Sequence, residues 1–254
     1  MSIFDKLIDI TSDSRIIGLT KELKSMYISK LFSTDKKSIL VVNNSLYEAN
    51  LIYQSLQNYT DKVLFFPMDD FLTSEAIAAS PELSITRLET LNTLLKKENY
   101  IVVTNLMGYL RFLPKKSIYE QSILSLKINH EYNMNIIIQK LNDLGYSREP
   151  LVEKTGDYAV RGFVIDVFPV GCENPIRLEY FGDEIQSIRT FNVETQRTIH
   201  DIQNTVIYPY YENIINLNDE KMVSNISGYL DNYIVVYNEY SEIKQGYLLL
   251  EEDI

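Results

Sequence analysis

Residues 156–199 read GDYAVRGFVIDVFPVGCENPIRLEYFGDEIQSIRTFNVETQRTI. Short runs rich in Val, Ile, Phe and Tyr, punctuated by Gly, Pro and Asp, are the pattern of strands joined by tight turns. Residues 161–168 (RGFVIDVF) read as one strand, with Arg161, Phe163, Ile165 and Val167 on one face and Val164, Asp166 and Phe168 on the other. Residues 169–175 (PVGCENP) link it to a strand at 176–181 (IRLEYF), Gly182-Asp183-Glu184 turns the chain, and a strand at 185–191 follows. Such a meander needs a helix on one face. Residues 133–144 (NMNIIIQKLNDL), ending at Gly145, supply it, and residues 122–128 add a further strand. Together they predict a small α+β domain over 125–211.

Upstream the texture differs. Residues 18–32 (GLTKELKSMYISKLF) space Leu19, Leu23, Met26, Tyr27 and Leu31 as an amphipathic helix does, and residues 38–42 (SILVV) are a short apolar strand. Residues 44–59 resume helical spacing, 63–66 (VLFF) form a second strand, and Ser80-Pro81-Glu82 opens a helix running to about 97. Residues 101–104 (IVVT) are a third strand. Helices between continuously apolar strands predict an α/β domain over 1–124 with a parallel sheet covered on both faces. Residues 212–254 hold an apolar run at 233–237 (YIVVY) but are too few for a third core, so they are expected to return to the first domain, the alternative being the start of a truncated further domain.

With hydrophobic residues at 45% and charged residues at 23%, the 254-residue chain matches neither disordered nor collagenous compositions. A net charge of -11 argues against indiscriminate attraction to a phosphate backbone. The single cysteine, Cys172, excludes an intramolecular disulfide framework and fits a reducing compartment, so a cytoplasmic location is expected. The first residues, MSIFDKLIDITSDSR, do not follow a basic-then-apolar leader pattern, and no apolar run is long enough to span a membrane.

Residues 18–25 nearly fit the phosphate-binding loop G-x-x-x-x-G-K-[ST], with Gly18, Lys24 and Ser25 in place. The fit fails where the physics is strictest. Leu23 stands where a glycine lets backbone amides curl around phosphates, and Lys21 and Glu22 favour helix. Asp69 and Asp70 could in principle hold magnesium, but adjacent carboxylates in a loop are ordinarily just solvated. His130, His200 and Cys172 are not spaced as a nucleophile, a base and an orienting group. The reading therefore expects no catalytic residue, no metal and no cofactor.

Arginine placement is more informative. Of eight arginines, Arg148, Arg161, Arg177, Arg189 and Arg197 fall within the meander, where Lys154 is the only lysine between the first and the last of them. Arginine and aromatic residues are enriched at interface anchors, and Arg177, Glu179 and Phe181 share one strand face by period two. These residues form either a docking surface or a set of internal pairs with Glu173, Glu179, Asp183 and Glu184; charge alone does not choose.

The stretch 156–199 resembles the second domain shared by UvrB and the bacterial transcription-repair coupling factors (Mfd). SPELSITRLETLNTLL (80–95) and IVVTNLMGYLRFLP (101–114) are similar to first-domain segments of the coupling factors. The resemblance covers the chain from Gly18 onward. It implies a P-loop-NTPase-like domain resembling UvrB domain 1a, with a degenerate phosphate loop at Gly18, Lys21, Leu23, Lys24 and Ser25. A UvrB domain-2-like module follows, and then the start of domain 1b. It further implies a non-catalytic interaction region that recruits the excision-repair protein UvrA to stalled RNA polymerase. The UvrA contacts carry over to Arg161, Arg177 and Phe181, with an acidic, apolar-recessed surface expected on the partner. RNA polymerase and DNA would be engaged through other domains of a longer parent with a helicase-like ATP-dependent motor. The competing reading is a UvrB-like nucleotide hydrolase acting on DNA through Lys24 and Ser25.

Overall fold

The computed structural model describes residues 15–70, 80–212 and 223–252. The N-terminal residues 1–14 lie outside the described residues. In chain order the elements are α1 (Lys21–Asp35), β1 (Ser38–Asn43), α2 (Leu46–Gln57), β2 (Val63–Phe66), α3 (Pro81–Leu94), β3 (Ile101–Asn105) and α4 (Leu106–Leu110). There follow β4 (Leu113–Pro114), α5 (Lys116–Ser122), β5 (Leu124–Lys127), α6 (Met134–Asp143), β6 (Ser147–Arg148), β7 (Asp157–Arg161), β8 (Val164–Val167) and β9 (Ile176–Phe181). The remainder comprises β10 (Glu184–Phe191), β11 (Thr198–Ile202), β12 (Asn204–Ile207), β13 (Val223–Ser224), a short 3-10 turn (Ile226–Tyr229), β14 (Tyr233–Tyr237) and α7 (Tyr240–Glu252).

The chain divides into two compact units, residues 1–112 with 224–254, and residues 113–223. The domain boundary read from sequence lies between 124 and 125; the division into units falls before β4, with the short helix α5 in the second unit.

In the first unit four parallel strands run in the order β14-β1-β3-β2. Every residue of β1 and β3 is buried, which is why both read as unbroken apolar runs rather than alternating ones. Ile39, Val41, Val63, Ile101 and Val103 pack with Ile28 of α1 and Ala49, Ile52 and Leu56 of α2. The start of α2 is fixed by a capping box between Ser45 and Glu48, and the Asp70 carboxylate also accepts the Leu46 amide at 2.9 Å. Asp70 therefore serves the α2 terminus and accepts from Asn105 Nδ2 at 2.7 Å.

In the second unit a six-stranded sheet runs β11-β10-β9-β8-β7-β6, antiparallel except for the β6–β7 pair. Its inner face, including Ile165, Val167, Ile176, Leu178, Tyr180, Ile185 and Ile188, packs on Ile137 and Leu141 of α6. The β5–β12 ribbon adds Leu124, Leu126 and Ile207 to the same core.

One expectation is corrected. Residues 161–168 are not a single strand: β7 ends at Arg161, Gly162 and Phe163 form a two-residue turn, and β8 begins at Val164. Gly162 has φ +59°, a backbone state open to glycine, and it occupies the first central position of the hairpin turn. Arg161 pairs directly with Val164, so Arg161, Val164 and Asp166 lie on one face instead of opposite ones.

Candidate docking face

The outer face of the second sheet is built around β9. Its burial alternates from Ile176 to Tyr180, and Phe181, the third outward residue after Arg177 and Glu179, is 78% exposed. Asp166 of β8 stands opposite Arg177, and Arg189 of β10 flanks Arg177 from the other side.

Asp166 is 1% exposed and holds the centre of this face. Arg177 grips it as a fork, Nε to Oδ1 at 2.7 Å and Nη2 to Oδ2 at 2.9 Å. Arg161 Nη2 donates to the same carboxylate from the β7 end. Arg177 Nη2 also reaches Gln196 Oε1 at 3.3 Å, and its guanidinium lies 4.5 Å from the Phe191 ring centroid. The hydrogen bonds to Asp166 hold the Arg177 guanidinium above its ordinary range, against an opposing effect of burial. Alongside, Arg189 pairs with Glu179 at 2.7 Å and Asp201 at 3.4 Å, and Ser187 Oγ donates to Glu179 at 2.7 Å.

Three arginines thus meet three carboxylates across the face. Arg161 and Arg177 take Asp166, an acid the sequence reading had set on the opposite face from Arg161, and Arg189 takes Glu179. A broadly acidic partner is not required by such a neutral array. Arg161 retains a half-exposed side chain, while that of Arg177 is 21% exposed. Arg148 and Arg197 are exposed and lie outside this cluster.

The segment that resembles a phosphate loop runs into the start of α1. Thr20 caps α1 by accepting from Leu23 N at 3.4 Å, and Lys24 N donates to Thr20 O at 2.9 Å. Lys21 and Leu23 are thereby wound into the first helical turn, and Gly18 precedes it with φ +79°. Lys24 Nζ donates to Asn238 Oδ1 at 2.9 Å and pairs with Glu239, and Ser25 is fully buried. Ligands of open α/β folds bind beyond the carboxyl ends of the strands. Here that end is knit together: Asn238 Nδ2 donates to Asn43 Oδ1 at 2.9 Å and Asn43 Nδ2 to Thr104 O at 3.1 Å.

His130 is exposed, with its Nδ1 at 3.0 Å from Ile128 O, and burial pushes the Cys172 thiol up. Among the described residues no three His, Cys, Asp or Glu side chains converge as metal ligands do, and no helix is long and apolar enough to cross a membrane.

Comparison with known proteins brings the second unit into focus. Residues 124–212 match the UvrB interaction domain. The transcription-repair-coupling factor of Bacillus subtilis is 32% identical over 216 residues, which cover 84% of this chain and 18% of that protein. Those of Staphylococcus epidermidis and Staphylococcus haemolyticus are 31% and 30% identical over 208 residues each, covering 80% of this chain. This chain belongs to the transcription-repair-coupling factor family. It corresponds to the N-terminal, UvrB-like region of these factors and spans about a fifth of the length of the relatives it matches. Within the family frame, the mixed architecture of a parallel sheet and a separate antiparallel sheet is UvrB-like.

Proposed function

We propose that the second unit docks UvrA through the outer face of its sheet, with Arg161, Arg177 and Phe181 as contacts, and so brings excision repair to stalled transcription. The observation that carries this reading is Phe181, a large ring 78% exposed on the same sheet face as an organised guanidinium pair, within the stretch that matches the UvrB interaction domain. An exposed ring contributes little to the fold and much to an interface that covers it. The region works as an interaction module in the cytoplasm without catalysis of its own, and RNA polymerase and DNA are engaged by other parts of the parent protein.

Co-purification of UvrA with the wild-type chain, Arg177→Ala and Phe181→Ala tests the reading. Wild type retains UvrA and Phe181→Ala loses it with an unchanged circular dichroism spectrum; equal retention by all three would overturn it. The rival hydrolase reading predicts saturable binding of magnesium-ATP that is lost on Lys24→Ala. The helical winding of Lys21 and Leu23 and the engagement of Lys24 with Glu239 favour the interaction module instead.

A further inference from the structure

Resting on the docking reading, we infer that Asp166 is the positioning residue of the face. Its carboxylate presets Arg161 and Arg177 as a two-guanidinium clamp for one carboxylate of the partner. Each guanidinium offers five N–H donors in a rigid fork. Arg177 spends Nε on Asp166 and Nη2 on Asp166 and Gln196, which leaves Nη1 without a partner among the described residues. Arg161 spends only Nη2 among the described residues. The unused donors belong to two side chains tied to the same buried acid, so they are held near one another without the entropy cost of ordering two long chains on binding.

Charge locates the seat. Two guanidinium groups share the Asp166 carboxylate while Arg189 faces two carboxylates, Glu179 and Asp201, so the array is neutral as a whole and the Arg161–Arg177 end is its positive side. A single carboxylate of the partner seated at that end accepts from Arg177 Nη1 and from the unused donors of Arg161. Phe181, four residues along the same strand face from Arg177, supplies a separate apolar contact. The Phe191 ring and Gln196 complete the seat that fixes the Arg177 plane.

The test is calorimetric titration of UvrA into the full chain and its variants. Asp166→Asn should weaken binding at least tenfold in the wild-type background. In an Arg161→Ala/Arg177→Ala background the same change should alter binding less than twofold, because the groups it positions are gone. A tenfold cost in both backgrounds, or none in either, overturns the inference. Arg177→Lys should bind as poorly as Arg177→Ala, since an ammonium keeps the charge and loses the fork; full affinity with lysine overturns the carboxylate assignment.

Where Asp166→Asn does not fold, side-chain NMR of the wild type decides. The Arg177 Nε–H signal should be protected from solvent exchange relative to that of exposed Arg148, and equal exchange overturns the preset clamp. Sensitivity of UvrA binding to Phe181→Ala with indifference to Asp166→Asn would leave the docking reading standing and remove this inference. Failure of the wild-type chain to bind UvrA would remove both.

Discussion

Lys24 Nζ donates to Asn238 Oδ1 at 2.9 Å and forms an ion pair with Glu239, so the lysine of the phosphate-loop-like segment is tied to the end of β14. The Lys24 side chain is 26% exposed and Glu239 52%, a geometry in which ion pairs contribute modestly. Lys24→Ala is expected to lower unfolding free energy by about 1 kcal/mol and to leave magnesium-ATP titrations unchanged from wild type. Urea denaturation and equilibrium dialysis with ATP measure the two quantities. A nucleotide affinity that falls with the substitution would return the hydrolase reading.

The two arginines on Asp166 should differ in what they do for stability. Arg177 makes a fork to a carboxylate that is 1% exposed, and its loss leaves that acid with one half-exposed partner. Breaking a buried pair from one side costs about 3 kcal/mol when the remaining charge is unpaired, and less when a second cation stays. Arg177→Ala is therefore expected to cost about 2 kcal/mol and Arg161→Ala under about 1 kcal/mol. Chemical denaturation of both variants checks the order; equal costs would mean that the two arginines share the acid evenly, and a larger cost for Arg161→Ala would make it the principal partner. Phe181→Ala, at an exposed position, should leave stability within about 0.5 kcal/mol of wild type.

How much of this was legible in the chain depends on the range of the interaction. Val63–Phe66 and Ile176–Phe181 can be delimited from sequence to the residue, because a short apolar or alternating run bounded by turn formers fixes its own ends. Arg177 and Phe181 fall on one face by counting in twos along a single strand. The same count fails from Arg161 to Asp166, since Gly162 reverses the chain between them and each hairpin turn resets the parity. Lys24 and Asn238 are 214 residues apart, and no local pattern announces their bond. Asp166 was visible as a residue of the meander but not as the shared partner, because that role exists only once β7, β8 and β9 lie side by side.

Two glycines of the second unit sit beneath tyrosine rings. Gly145 has φ +90° and an added Cβ would collide with the ring of Tyr211; Gly156 has φ +94° and its Cβ would lie 2.5 Å from Tyr210 Cζ. Both the backbone state and the space select glycine at these positions. Gly156→Ala is expected to cost at least about 2 kcal/mol in chemical denaturation, combining strain with displacement of the ring. In a Tyr210→Ala background the steric part disappears and the cost should fall to about 1 kcal/mol, the backbone part alone. An unchanged cost in the two backgrounds would show that the ring imposes nothing.

Tyrosine ionisation should govern alkaline stability. Burial, first among the causes, raises the Tyr146 and Tyr180 hydroxyls well above the ordinary range, and burial with a hydrogen bond to Tyr109 pushes Tyr237 up to about 12. Tyr146 is further held as a neutral donor to Tyr208 O at 2.8 Å. A folded-state value above the unfolded value of about 10 means that the native chain keeps protons the unfolded chain has released. The unfolded state then binds fewer protons, so unfolding free energy is fully present below about pH 10 and falls as pH rises toward the folded values. Denaturation at stepped pH should show this decline, with Tyr146→Phe flattening it while lowering stability at neutral pH by about 1 kcal/mol through the lost hydrogen bond. Absorbance at 295 nm should rise in two stages, exposed tyrosines first and the buried ones only as the protein unfolds. A single smooth titration of every tyrosine while the chain remains folded would show that these hydroxyls are open to solvent.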